Sequence, residues 1–151
     1  MNQIAENINA SPTTVAKYIQ ILEALYIVFK VKPYSKNIAR AITKEPKIYF
    51  YDSGLVVGDD GAIFENMMAV SLLKHVHALY DCEGQEYALN FLKTKEGKEV
   101  DFSIAKDGEI DTLVEAKFAD SNISKNLIYF CEKYDLRGVQ VVKKTRSERK
   151  C

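Results

Sequence analysis

Apolar positions in the first part of the chain return every four or three residues between residues 15 and 26. This spacing predicts a helix with one apolar face. The positions are Val15, Ile19, Leu22 and Tyr26. Ser11 and Pro12 stand before them as an N-cap and a proline in the first helical turn. A shorter helix is predicted over residues 2–9, and two helices joined by a short turn are typical of a helix-turn-helix.

Two strands follow these helices. Residues 27–32 alternate between apolar and polar side chains, and residues 48–51 make a second short run. Helix, helix, strand, strand is the order of a winged helix, so a winged-helix-like segment is predicted over residues 1–57. In a helix-turn-helix, the start of the second helix reads DNA. The candidate nucleic-acid contacts there are Thr13, Thr14 and Lys17, with docking between domains as the preferred alternative use.

The second half of the chain has a different element order. Glycines at residues 58–61 punctuate the sequence, and the domain boundary is placed there, with a second domain over residues 58–151. Six elements are predicted in it: a helix over 62–77, strands over 86–93, 98–105 and 110–118, a helix over 122–134 and a strand over 138–143. Ile63, Met67, Val70 and Leu73 or Lys74 are predicted to face the core. The fold class is therefore α/β, in the α+β sense.

A hairpin between the second and third strands of this half carries the candidate chemistry. Residues 106–108, Lys-Asp-Gly, are a strong turn signal. A two-residue loop would pair Ile104 with Asp111 and mix apolar with charged positions on each face. A three-residue loop would pair Ile104 with Ile110 and give one mostly apolar face, so this register is preferred.

The polar face of that hairpin brings acidic residues together. Asp101 and Glu115 become diagonal neighbours, Glu99 lies opposite Glu115, and Lys117 lies two residues further along the same side. Carboxylates this close repel one another, and a divalent cation such as Mg²⁺ would relieve the repulsion. A lysine beside such a cation could orient an attacking water or help to deprotonate it. The alternative is a solvated sheet face with an ordinary Glu–Lys ion pair.

Composition narrows the classes of function. Lys plus Arg and Asp plus Glu both number 21, so a surface that is basic as a whole is excluded. Three widely spaced cysteines and two histidines argue against a disulfide framework and a zinc site. No apolar run approaches the roughly 20 residues of a membrane span, and no signal-peptide core is present, so a cytoplasmic protein without membrane contact is predicted. A phosphate-binding GxxxxGK[ST] motif is also missing.

The second half resembles the restriction-endonuclease-like PD-(D/E)XK fold. That core runs helix, three antiparallel strands, helix, strand, with an acid early in the second strand and Glu-x-Lys in the third. Asp101, Glu115 and Lys117 match these positions, and Glu65 matches the glutamate that many members carry on the first helix. The resemblance implies catalysis by Asp101, Glu115 and Lys117, and a Mg²⁺ site, with Mn²⁺ as a substitute, at Glu65, Asp101 and Glu115.

The whole chain also resembles the C-terminal region of a large prokaryotic family of AAA-type ATPases. The similar segments are Ser11-Pro-Thr-Thr-Val15 with Leu22-Glu23, Lys47-Ile-Tyr-Phe-Tyr-Asp52-Ser-Gly54, Gly61-Ala-Ile-Phe-Glu65-Asn66, Gly97-Lys-Glu-Val-Asp101-Phe102 and Val114-Glu-Ala-Lys117. In that family an ATP-binding P-loop domain precedes a winged helix and the nuclease-like domain. The resemblance implies a P-loop ATPase as a partner, in cis or in trans, and DNA as a candidate ligand.

One departure from the family concerns phosphate or partner recognition. An aromatic–arginine pair usually precedes the Glu-Val-Asp segment, whereas Leu92 and Lys93 stand here, and lysine lacks the planar fork of arginine. Lys93 is therefore the candidate nucleic-acid contact at this place. Three functions are expected: a Mg²⁺-dependent nuclease, a DNA-binding module without turnover, or a module that docks on and regulates an ATPase. The sequence leaves the oligomeric state open, a homo-oligomer included.

Overall fold

Helices and strands occur together, as the sequence predicts. The computed structural model describes residues 2–34, 45–94, 96–119 and 122–144. The helices in these ranges are α1 (Asn2–Asn7), α2 (Pro12–Ala24), α3 (Asp60–Glu83) and α4 (Lys125–Tyr134), with a short 3-10 turn at Ser53–Leu55. None of the helices in these described ranges is both long and apolar enough to cross a membrane.

Six strands form one sheet. They are β1 (Val28–Pro33), β2 (Lys47–Phe50), β3 (Tyr87–Lys93), β4 (Glu99–Lys106), β5 (Glu109–Ala119) and β6 (Arg137–Lys144). Their order across the sheet is β2-β1-β3-β4-β5-β6. The strands β3, β4 and β5 are antiparallel neighbours, as predicted, and β6 runs parallel to β5.

A parallel pairing between β1 and β3 joins the two halves of the chain. Lys32 faces Asn90 and Pro33 faces Phe91 in this pairing. The two strands of the predicted winged-helix-like segment therefore extend the sheet of the second half. The boundary that the sequence predicts near residue 58 remains a prediction, but the sheet itself continues across it.

Each face of the sheet is covered by a helix and buries its own cluster. One cluster includes Leu92, Val100, Leu113, Leu127 and Phe130 and lies against α4. The other includes Phe29, Val31, Tyr49, Ala69, Phe91, Phe102 and Val114 and lies against α3. Burial on both faces explains why β4 and β5 are apolar at consecutive positions, where a strand with one solvated face would alternate.

The preferred hairpin register is wrong. Asp107 and Gly108 have φ values of 50° and 80° and form a two-residue turn, with Lys106 facing Glu109. The register then shifts, so that Ala105 faces Ile110 but Ile104 faces Thr112. The exposed Asp111 is the extra residue of this bulge. Neither of the two registers considered from the sequence contains this shift. The shift allows a tight turn at residues 107–108 and still buries the apolar residues of the strand beyond the bulge.

The predicted buried side of α3 is confirmed at Val70 and Leu73, which pack against the second cluster, but it is wrong at other positions. Phe64, Ala69 and Val76 are buried, whereas Met67 is 42% exposed and Lys74 is exposed. The helix is longer than predicted because Asp59 caps its start and Gly84, with φ at 65°, ends it. The apolar positions on this helix are spread widely around it, so their spacing alone identified only part of the face that packs on the sheet.

The N-terminal helices match the predicted caps but end earlier. The Ser11 side chain accepts a hydrogen bond from the Thr14 amide at 3.1 Å, as expected for an N-cap. Val15 and Ile19 are buried against Ala5. Tyr26 was predicted to lie on the apolar stripe, but α2 ends at Ala24 and Tyr26 is 76% exposed.

Asn66 fastens α3 to the outer strand β2. It is buried, accepts from the Phe50 amide at 2.8 Å and donates to the Phe50 carbonyl at 2.9 Å. A further bond joins its amide to the Ser53 hydroxyl at 3.0 Å. A side-chain amide thus occupies the open hydrogen-bonding edge of β2, where another strand would otherwise be needed.

We expect Asn66→Ala to lower the free energy of unfolding by about 3 kcal/mol, because it leaves the Phe50 amide and carbonyl without their partner. Ser71→Ala is the matched control on the same helix, since Ser71 is exposed and bonds only the Met67 carbonyl of its own helix among the described contacts. We expect the control to change stability by less than about 0.5 kcal/mol. Urea unfolding followed by circular dichroism measures both, and equal stabilities would contradict the role assigned to Asn66.

Candidate functional site

Four carboxylates from three elements meet at one end of the sheet. Glu65 comes from α3, Glu99 and Asp101 from β4, and Glu115 from β5. We call these four residues the acid cluster. Lysines and backbone amides lie between these carboxylates and connect them. The structure therefore brings together all the predicted catalytic and metal-binding residues.

A bulge in β4 turns Asp101 toward α3. Asn90 faces Ser103 and Leu92 faces Val100, which leaves Asp101 and Phe102 together opposite Phe91. Because of this extra residue, Val100 packs beneath α4 whereas Phe102 packs beneath α3. Regular alternation would place Asp101 on the face opposite to Phe102. The bulge instead lets the Asp101 carboxylate approach residues on the α3 side.

Asp101 and Glu115 are joined by hydrogen bonds between neighbouring strands. The Ala116 amide donates to Asp101 Oδ2 at 3.0 Å, and the Asp101 amide donates to Glu115 Oε2 at 3.4 Å. The other Glu115 oxygen, Oε1, lies 2.8 Å from the Lys117 ammonium. Glu115 is 4% exposed, whereas the Lys117 side chain is 38% exposed, so this ion pair joins a buried carboxylate to a lysine that reaches solvent. Asp101, Glu115 and Lys117 are therefore contiguous, as the sequence predicts.

Lys47 lies among three of the carboxylates, and sequence reasoning missed it. Its ammonium is 2.7 Å from Glu99 Oε1, 3.2 Å from Glu65 Oε1 and 3.9 Å from Asp101 Oδ1. Lys47 is the first residue of β2, at the far end of the strand order from β5. The one signal in the sequence was a lysine immediately before a predicted strand, which alone does not indicate a partner.

Tyr49 holds Glu65 from the same strand. Its ring is buried between Phe29 and Phe102, with centroids 5.8 Å and 5.7 Å away. Its hydroxyl donates to Glu65 Oε1 at 2.7 Å. Because Tyr49 and Lys47 are two residues apart on a strand, both side chains leave β2 on the same side. Tyr49 thus both packs in the core and makes a hydrogen bond to the acid cluster.

Asp101 experiences excess negative charge. Burial raises the pKa of its carboxyl from 3.8 to about 6, with Glu115 and Glu65 adding to the rise. The Ala116 amide and Lys47 act in the opposite direction but do not cancel it. An additional cation beside Asp101 would offset both its burial and its repulsion by Glu115 and Glu65.

The lysines of the site stay charged. Burial lowers the pKa of Lys47, but Glu65, Glu99 and Asp101 outweigh it and the net shift is upward. Burial likewise lowers the pKa of Lys117, and its hydrogen bond to Glu115 more than offsets this. Lys117 is thus an ammonium at neutral pH. It can donate hydrogen bonds to water or phosphate oxygens, but it has no lone pair with which to accept a proton.

The donor set suits Mg²⁺ in kind. Mg²⁺ is commonly held by one or two carboxylates together with waters and substrate phosphates, and Asp101 and Glu115 form such a pair. Within the described residues, no group of three or more His, Cys, Asp or Glu side chains is placed to hold a metal ion. The three-carboxylate site that includes Glu65 therefore stays a prediction, and Glu65 is held here by Lys47 and Tyr49.

The candidate nucleic-acid contacts lie in two places. Thr13 and Lys17 are exposed on α2, while the Thr14 hydroxyl lies 2.8 Å from that of Ser11 in the helix cap. These residues belong to α2, whereas the acid cluster is built from α3, β4 and β5. Lys93 is closer to the cluster, because its ammonium pairs with Glu99 Oε2 at 2.8 Å.

Two family models match the chain. One is described as a domain of unknown function, DUF8612, and matches residues 1–58. The other is also described as a domain of unknown function, DUF4143, and matches residues 60–150. Searches for similar curated proteins and for similar solved structures give no significant match. Lys47 and Tyr49 lie in the first matched segment and the acid cluster in the second.

We expect Asp101→Asn to stabilise the metal-free protein at pH 7.5. The Asp101 pKa is higher in the folded chain than the ordinary 3.8, so folding is penalised above about pH 6 and the penalty disappears as the pH falls toward 4. Asparagine keeps an oxygen for the Ala116 amide and carries no charge. The expected gain is about 1–3 kcal/mol at pH 7.5, shrinking at pH 5.

Thermal and urea unfolding at both pH values, with EDTA present, measure this difference. The control is Asp111→Asn, which neutralises an exposed carboxylate on β5 outside the acid cluster. We expect the control to change stability by less than about 0.5 kcal/mol at either pH. A destabilised Asp101→Asn at pH 7.5 would show that its ion pairing outweighs the repulsion.

Proposed function

Since the chain belongs to the family described as a domain of unknown function, DUF4143, we propose a function from the site itself: hydrolysis of phosphodiester bonds in nucleic acid, dependent on a divalent cation. The observation that carries the proposal is the contiguous set of Asp101, Glu115 and Lys117, with the Lys117 ammonium 2.8 Å from Glu115. Two carboxylates and a lysine in this arrangement provide both a place for a cation and a donor for an anionic substrate.

The residues divide this work between them. Asp101 and Glu115 would hold the cation, because they lie on adjacent strands and each carboxylate accepts a hydrogen bond from a backbone amide of the other strand. Bound Mg²⁺ supplies positive charge that polarises a phosphodiester and makes water more acidic. Lys117, as an ammonium, would orient the attacking water or stabilise the charge that develops on phosphate oxygens. Glu65 would stay with Tyr49 and act on the site through its charge.

The wider resemblance supports the same proposal. The elements α3, β3 to β5, α4 and β6 follow the order of the PD-(D/E)XK core, and we propose this fold family and the associated nuclease chemistry for the second half. We further propose a winged helix for the first half and a P-loop ATPase as partner, in cis or in trans. DNA is the proposed nucleic acid, and the cytoplasm is the proposed location.

A module without turnover is the second candidate, and the position of Lys47 favours it. Lys47, Lys93 and Lys117 already pair with the acid cluster, so the cluster is largely neutralised by the chain itself. A domain with such a site can keep its fold and bind nucleic acid or dock on an ATPase without catalysing a reaction. The two candidates differ in whether divalent cations and Asp101 are needed for a measurable reaction.

We expect the full chain to cleave plasmid or single-stranded DNA with Mg²⁺ or Mn²⁺, and Lys117→Ala and Asp101→Ala each to lower the rate by on the order of 100-fold or more. The loss follows from removal of the charged donor or of a cation ligand. Gel analysis of the products over time measures the rate, and EDTA should stop the wild-type reaction. Asp111→Asn is the control, because it neutralises a carboxylate on β5 that lies outside the site. This variant should retain the wild-type rate.

No cleavage by a folded wild-type chain under these conditions would favour the module without turnover. Cleavage that persists in both Lys117→Ala and Asp101→Ala would instead point to a contaminating nuclease or to another site. Circular dichroism of each variant separates loss of activity from loss of fold.

A further inference from the structure

One lysine from the first matched segment balances three carboxylates of the second. Lys47 contacts Glu99, Glu65 and Asp101 at 2.7, 3.2 and 3.9 Å, and its side chain is 22% exposed. A single ammonium at these distances shares Asp101 with the proposed cation site, and its positive charge repels a cation that approaches this carboxylate. Lys47 in this position therefore opposes the binding of a divalent cation at Asp101.

The other contacts in the site would survive removal of this ammonium. Glu99 also pairs with Lys93 at 2.8 Å, and Glu65 also accepts from the Tyr49 hydroxyl at 2.7 Å. Asp101 has the longest of the three contacts to Lys47. If Lys47 swings away, Glu99 and Glu65 keep a partner, and Asp101 is left as the carboxylate that most needs a new cation.

Movement of the lysine does not require the sheet to open. Lys47 is the first residue of β2, a four-residue strand at the edge of the sheet. Its ammonium is carried on a chain of four methylene groups with several rotatable bonds, so a rotamer change alone can move the charge by several ångströms. The backbone pairing of β2 with β1 can remain as it is.

We propose that Lys47 is an internal counter-cation that competes with a divalent cation for the acid cluster. The lysine is inserted when the site is empty and must withdraw for the cation to bind at Asp101 and Glu115. This inference rests on the proposed cation site and adds that a residue of the first segment sets the affinity of that site. The role is one of regulation through charge, so Lys47 is not assigned to catalysis.

The test is Mn²⁺ binding to the full chain, measured by isothermal titration calorimetry without any nucleic acid. We expect Lys47→Met, which keeps the aliphatic stem and removes the charge, to bind Mn²⁺ at least about tenfold more tightly than the wild type. Lys47→Arg, which keeps the charge, should bind as weakly as the wild type. Mn²⁺ should also raise the melting temperature of Lys47→Met more than that of the wild type, because tighter binding stabilises the folded state more.

Lys30→Met is the matched control. Lys30 lies on the neighbouring strand β1, its side chain is 18% exposed, and it pairs with Glu23 at 2.6 Å. The substitution thus removes an equally buried lysine outside the acid cluster and should leave Mn²⁺ affinity within about threefold of the wild type. Should Lys47→Met fail to fold, Lys47→Gln keeps a polar side chain in its place and the same result is expected.

The outcomes separate this inference from the proposed function. If Lys47→Met and the wild type bind Mn²⁺ equally and Asp101→Asn abolishes binding, the cation site stands and the competition is overturned. If folded wild type and folded Lys47→Met both fail to bind Mn²⁺, the proposed competition is wrong, and so is the cation dependence of the proposed activity. Tighter binding by Lys47→Arg as well would show that side-chain shape, and not charge, limits binding.

Discussion

Repulsion among the four carboxylates of the acid cluster, which meet beside the start of β4, is the constraint around which this structure is organised. Acids this close can remain ionised only if cations lie among them. Three lysines from three strands provide the charge: Lys47 from β2, Lys93 from β3 and Lys117 from β5. The sheet therefore brings β2 to the acids, although Lys47 and Glu99 lie 52 positions apart in the sequence. The strand order β2-β1-β3-β4-β5-β6 serves this requirement.

The two segments that match separate family models consequently share one site and one sheet. The parallel pairing of β1 with β3 continues the sheet from one segment to the other. Asn66 closes the outer edge of β2 from α3, and Tyr49 and Lys47 reach Glu65 on that helix. Buried hydrogen bonds and ion pairs of this kind are costly to break one at a time, because each leaves an unpaired polar group behind. The segments are thus coupled through polar contacts as well as through apolar packing.

The sequence predicted most elements and most residues of the site, but not Lys47 and Tyr49. The cap at Ser11, the order of strands and helices after residue 60, and the neighbouring positions of Asp101, Glu115 and Lys117 all follow from short-range signals. The bulges at Asp101 and Asp111 did not, because an extra residue in a strand is decided by what both faces must bury. Lys47 was missed for a similar reason, since its partners are set by the lateral order of strands and not by its neighbours in sequence.

The energetic cost of the site is concentrated at Asp101. A bulge turns its carboxylate away from regular alternation, and burial beside Glu115 and Glu65 then raises its pKa to about 6. A protein that needed only a stable sheet would lose little by replacing this residue with a neutral one. Lys47 limits the cost without removing it, because its contact with Asp101 is the longest of its three. The position of β2 and the charge state of the acid cluster are therefore linked, and a change in either must be accommodated by the other.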